Sequence, residues 1–280
     1  MNYTSEVAIA TRRTPQESLS EALSKLLASP TPKGPIDRVI IKPSIYNPRF
    51  AGNTSSSLVG ALIRLFKSIA PVLVVESDNP LRNAEDAFRQ SSYHALEGKT
   101  TTLVNLSKSE LIPVKMAGHL FESKPMPTLL TGSRMLINAA TIKVDPGISV
   151  IGASMKNLFG LLPEVDKSVY HKRIDEALVD LLHAFRPDLT VVDLTEIAIG
   201  RREDGRIAKV GGVVVGTDPV AVDAFCCDLV GIDPFNVPYI VKAHELGLGE
   251  ALIDRIKIRG TEYQKQRIYD ILKDQLPPRK

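Results

Sequence analysis

The chain predicts an α/β protein with a mixed, largely parallel sheet, flanking helices and an antiparallel hairpin. Three observations carry this reading. Short β-branched runs such as Val39-Ile-Ile and Thr190-Val-Val alternate with stretches of helical periodicity, the pattern of βαβ crossovers. These runs are apolar and short, as buried strands are. Finally, Asp204-Gly205 sits between Ile197-Ala-Ile and Ile207-Ala-Lys-Val, a hairpin signal beside the parallel strands.

Residues 7–10 form a short β-like run, and Thr14-Pro15-Gln16-Glu17 is a capping box with proline at the first helical position, opening a helix from 15 to about 28. Residues 29–35 hold three prolines and a glycine and read as a loop leading into a strand at 38–42. Leu58, Leu62, Leu65 and Ile69 have helical spacing, residues 72–75 are the next strand, Asn79-Pro80 is expected to start a helix, and 101–106 is strand again. Pro113, Gly118, Pro125, Pro127 and Gly132 interrupt the middle third before a strand at 134–139. Helices are expected at 149–159 and 172–185, with a strand at 189–194 after them. Residues 213–215 are the last strong strand, Asp218-Pro219 caps a helix running to 230, and Pro238 starts another that Gly247 ends. We expect one domain over residues 1–262 and a basic tail over 263–280 with room for a peripheral helix.

Hydrophobic residues make up 44% of the 280, enough to fill a substantial core. Lys and Arg total 35 against 32 Asp and Glu, and apart from Arg201-Arg202 and the stretch from 255 onward they are scattered among acids. With aromatics at 5%, no Trp and no basic stripe, a nucleic-acid partner is not expected. No run of 18 apolar residues appears and residues 1–13 lack the apolar core of a signal peptide, so no membrane partner and a cytoplasmic location are expected. Cys226 and Cys227 are adjacent, poorly placed to bridge each other, and read as small core residues.

Ligands of open α/β sheets bind at the carboxyl ends of the strands. Lys42, Glu76, Asp78, Lys143, Asp193 and Asp218 each follow an apolar run, although strands also end in charge simply because they reach the surface. Residues 43–54, rich in Asn, Pro, Gly and hydroxyls, suit an anion, with Thr54-Ser-Ser-Ser opening the next helix at its positive end. Neither the P-loop nor the Gly-x-Gly-x-x-Gly arrangement is present. Lys156 sits beside an apolar helical face of Ile148, Ile151, Met155 and Leu158, where it either snorkels or is desolvated into a base or nucleophile. Asn157 is expected to orient it or to donate to a substrate oxygen, and His171, otherwise read as a surface or cap residue at a helix start, gains interest from its closeness in sequence to Lys156. Asp218 is equally well read as an N-cap, and Asp223 as a solvated or paired residue. No histidine or cysteine spacing suits a metal, and no serine nucleophile elbow is present.

These residues resemble the domain of unknown function family numbered 362. The likeness runs from Val39-Ile-Ile-Lys-Pro43 through Val74-Val-Glu-Ser-Asp78, Ile137-Asn-Ala-Ala-Thr-Ile-Lys143 and Lys156-Asn-Leu-Phe-Gly160 with His171. It continues in Pro187-Asp-Leu-Thr-Val-Val-Asp193, Thr217-Asp-Pro-Val-Ala-Val-Asp223 and Gly231-Ile-Asp-Pro. Members of that family often carry Lys-x-His where this chain has Lys143-Val-Asp145, so the resemblance carries no histidine metal ligand to that point. Many also carry ferredoxin-type cysteine motifs; this chain has no such set of four, and no iron–sulfur cluster or other cofactor is predicted. The lysine-then-histidine layout is loosely similar to that of nickel-pincer lactate racemases.

The resulting expectation is a crevice that takes a small anionic metabolite. Lys156, His171 and Lys143 are its catalytic candidates, with Lys42, Glu76, Asn157, Asp193, Asp218 and Asp223 as ligand-binding candidates and Lys156 with His171 moving protons. Rival expectations are a non-catalytic carrier or maturation partner of a redox or metal protein, and a regulatory ligand-binding module.

Overall fold

The computed structural model describes residues 4–32, 34–145, 149–200 and 205–273. Its main sheet has ten strands among those residues. Along the sheet the order is β12 (Ile256–Arg259), β1 (Ser5–Ala10), β11 (Val213–Gly216), β9 (Leu189–Ile199), β7 (Arg134–Asp145), β2 (Arg38–Pro43), β3 (Val72–Glu76) and β4 (Thr101–Asn105). The five strands from β9 to β4 are parallel, while β11 runs antiparallel to both β9 and β1. Two short strands extend this frame: β8 (Val150–Gly152) pairs antiparallel with β7, and β10 (Arg206–Ala208) with β9. The expected hairpin around Gly205 is therefore present, with Asp204 outside the described residues.

Both faces of the sheet are covered because its strands are apolar on both sides. Val39 and Ile41 join one core with Leu19 of α1 (Pro15–Lys25), Leu58 and Leu62 of α2 (Ser56–Phe66) and Phe88 of α3 (Ala84–Gln90). Ile40, one residue out of phase, joins the opposite core, as the twofold alternation of strand side chains requires. That core is completed by α4 (Ser154–Asn157), α5 (Ile174–Ala184), α6 (Pro219–Leu229), α7 (Pro238–Glu245) and α8 (Glu262–Lys273).

The Thr14–Glu17 capping box forms with both bonds at 3.2 Å. Other details depart from expectation. Asn79-Pro80 does not start a helix: the Asn79 side chain accepts the Leu81 N–H at 2.9 Å and closes a local turn, and α3 begins after Asn83, which caps the Asp86 N–H. The helix expected over 149–159 divides into β8, the short α4 and a 3-10 turn at Leu158–Leu161. Its spacing of Ile151, Met155 and Leu158 was shared between a strand and a helix, and Ile148 lies outside the described residues. Residues 213–215 are followed by one more strand, the edge strand β12, and the interrupted middle third folds as a ribbon of β5 (Leu111–Lys115) and β6 (Ser123–Pro127). Pro113 and Pro125 face each other there, tolerated because each strand of a two-stranded ribbon has only one neighbour.

Asp180 of α5 is buried and its carboxylate accepts three consecutive N–H groups, from His119 at 3.1 Å and from Leu120 and Phe121 at 2.8 Å. This contact fastens the turn of the β5–β6 ribbon to the core. Asp180→Ala should leave those donors without partners and cost about 3–5 kcal/mol in urea unfolding. Asp180→Asn should cost less, and an alanine variant as stable as the parent would show that the turn is held elsewhere.

Candidate functional site

After β2 the chain builds β3 and β4 on one side, then returns to place β7 on the other. The switch point of the sheet thus lies between β2 and β7, where open α/β sheets leave a crevice. A cavity of about 660 Å³ opens there, lined by Lys42 of β2, Glu76 of β3 and Thr141, Lys143 and Asp145 of β7.

Its floor is an ion pair. Lys42 is 1% exposed and donates to Glu76 Oε2 at 2.8 Å and to the Pro43 carbonyl at 2.6 Å. Arg82 approaches Glu76 Oε1 at 3.7 Å, and the Ser77 and Ile45 N–H groups donate to the same carboxylate at 2.9 and 3.4 Å. Burial pushes the Lys42 ammonium below its ordinary pKa, and Glu76 opposes that shift. A Cβ on Gly160 would lie 2.7 Å from Lys42 Cε and 2.8 Å from its Nζ, so the pair requires glycine at that position.

Lys143 and Lys156 line the same cavity. Pairing of β7 with β8 sets Lys143 opposite Gly152. A Cβ on Gly152 would lie 3.2 Å from Lys156 Cγ and 4.0 Å from Lys143 Cβ, so the two stems flank one glycine. Lys143 donates to Ser44 Oγ at 2.9 Å and to Thr141 Oγ1. Lys156 places Nζ 4.7 Å from the Phe159 ring centroid, and the imidazole of His171, exposed at the mouth, lies 5.9 Å from the same ring. Asn157 donates to the Lys42 carbonyl at 3.0 Å and to Asn138 Oδ1 at 2.7 Å, tying α4 to β2 and β7.

Six of the nine residues picked from the sequence therefore line the cavity: Lys42, Glu76, Lys143, Lys156, Asn157 and His171. Asp193, Asp218 and Asp223 do not. Each instead serves as an internal anion at a helix start. Asp193 accepts the Ser55 N–H at 2.9 Å and its hydroxyl at 2.7 Å, so the start of α2 is met by a carboxylate of the protein itself. Asp218 caps α6 through the Val220 and Ala221 N–H groups at 3.0 and 3.2 Å. Asp223 accepts the Ser154 and Met155 N–H groups at 2.6 and 2.8 Å and thereby sets the start of α4, which carries Lys156. Burial raises the Asp223 carboxyl to about 7 against the opposing pull of those two N–H groups.

Arg82 and Lys167, which neither end an apolar strand run nor sit on an apolar helical face, also stand on the cavity wall. Lys167 donates to the Asp78 carbonyl at 2.8 Å. Burial, reinforced by Lys42 and Arg82, lowers its pKa to about 8 although Glu76 pulls the other way. Nothing in the local sequence distinguishes either residue from a surface cation. Among the described residues no group of three or more His, Cys, Asp or Glu is placed to hold a metal. Cys226 and Cys227, adjacent and buried on α6 with thiols raised by burial, do not suit an iron–sulfur cluster.

Removing one partner of a buried pair leaves the other charge poorly compensated. Lys42→Met should cost about 3 kcal/mol of stability in denaturant unfolding, with less lost in Lys42→Met/Glu76→Gln. Equal losses in the two proteins would show that the pair is not coupled.

Comparison with known proteins agrees with the sequence likeness. The chain is 22% identical over 227 residues to the thylakoid-associated protein sll1697 of Synechocystis sp., an alignment covering 76% of this chain and 69% of that protein. The lactate racemase apoprotein from Thermoanaerobacterium thermosaccharolyticum is similar at a TM-score of 0.46 and 11% identity over 82% of this chain. This chain spans only 58% of that protein's length. A family model described as Domain of unknown function (DUF362) matches residues 39–228, a span that includes every lysine of the crevice floor and walls. The chain belongs to the DUF362 family.

Proposed function

We propose that the chain binds a small anionic metabolite in the crevice between β2 and β7, and that Lys156 and His171 exchange protons with it. The observation that supports this reading is that Lys143 and Lys156, whose stems flank Gly152, line one cavity with Arg82 and Lys167. The lining sets Lys42, Arg82, Lys143, Lys156, Lys167 and Arg206 against Glu76, Asp78, Asp145 and Asp166, a positive balance on a chain whose net charge is +3. Lys143 faces the anion directly, whereas Lys42 acts from the floor, where Glu76 balances most of its charge. Lys156 and His171 share the Phe159 ring, which keeps both near one point of the bound molecule. A cytoplasmic setting is part of the proposal and suits two unbridged, buried cysteines. Among the described residues no helix is long and apolar enough to cross a membrane.

Thermal shift with inorganic phosphate and succinate tests the reading. Binding should raise the melting temperature of the parent, and Lys143→Ala/Lys156→Ala should remove the response. Affinity should be highest below pH 8 and fall as pH rises through the Lys167 value of about 8, because only the protonated ammonium attracts an anion. A double variant that responds like the parent would contradict the proposal.

A further inference from the structure

Much of the same cavity is apolar, which a site for a small, fully polar anion does not need. Tyr46 and Phe50 lie on its wall as a stacked aromatic pair, with ring centroids 6.3 Å apart and planes only 17° from parallel. Phe159 and Ile207 add to the lining, and Leu81 and Val165, 55% and 47% exposed, stand at the opening. Large apolar side chains left open around a polar floor mark contact with an apolar partner group.

The loop that carries both rings is also fixed in place. Asn53 accepts the Tyr46 N–H at 3.1 Å and donates to the carbonyls of Asn47 and Phe50 at 3.0 and 2.8 Å. From the other side, Asn79 and Arg82 donate to the Tyr46 carbonyl at 2.7 and 3.1 Å. A loop held by five such bonds does not have to be ordered when a ligand arrives, which preserves the gain from burying apolar area.

We infer that the ligand is an amphipathic anion, a carboxylate or phosphate carried on a flat apolar body of aromatic size. Its charged group sits at Lys143 and Lys156, and its apolar body lies against Tyr46 and Phe50. The inference rests on the anion reading above and narrows it to one substrate class. It also assigns a binding role to two aromatic residues outside the charged set.

Titration calorimetry with three probes separates the two ideas: 2-naphthoate, acetate and 2-naphthalenemethanol. Naphthoate should bind about tenfold or more tightly than acetate, since burying its rings adds apolar contact that acetate lacks. Phe50→Ala should weaken naphthoate about fivefold and leave acetate within about twofold, with Phe50→Leu between them and guarding against a folding defect. Equal affinity for naphthoate and acetate would overturn the inference and leave the anion reading standing. Naphthalenemethanol matching naphthoate would overturn the anion reading and the inference together, as would the absence of binding by all three probes.

Discussion

The crevice depends on the buried contact between Lys42 and Glu76. Two charges removed from water must be compensated locally, and here the Pro43 carbonyl, two backbone N–H groups and Arg82 complete the set. That requirement fixes the ends of β2 and β3 relative to each other. It also excludes any side chain at Gly160, which holds the 3-10 turn after α4 close to the floor. Arg82 approaches the other oxygen of Glu76, and Lys42, Arg82 and Glu76 all act on the ammonium of Lys167, so the charges of the floor are coupled to one another.

A second constraint comes from the helices themselves. The carboxyl edge of a parallel sheet is where helix amino termini gather, each with unsatisfied N–H groups. Asp193 and Asp223 meet those groups at the starts of α2 and α4, and α4 lines the crevice through Lys156 and Asn157. Asp193, Asp218 and Asp223 are thus consumed inside the scaffold, whereas Glu76, Asp78, Asp145 and Asp166 line the cavity beside its lysine, arginine and aromatic side chains. Asp223 matters to the site through α4, because its position sets where the helix bearing Lys156 and Asn157 begins.

Fold class and sheet direction were legible in the sequence because the strands of this protein are covered on both faces and therefore read as unbroken apolar runs. The lysines at strand ends were legible for the same reason: Lys42 and Lys143 follow such runs directly. Asp193 and Asp218 carry the same signature, yet they turn inward to backbone donors, a choice that depends on where α2 and α6 start in space. Lys156 was found through a helical spacing that proved to span β8 and α4. Arg82, Lys167 and the Tyr46–Phe50 surface were not legible, since their roles come from loops brought together by the β2–β7 switch point. The proline-bearing ribbon was missed because its tolerance for proline follows from having two strands only.

The central claim is spatial: ammonium groups far apart in the chain share one anion-attracting crevice. A crystal structure with bromide soaked in, read by anomalous scattering, tests it most directly. The account predicts a bromide peak within contact distance of Lys143 and Lys156 above the Lys42–Glu76 pair. Ammonium groups of Lys42, Lys143 and Lys156 directed into solvent on separate faces, with no peak in the crevice, would contradict it.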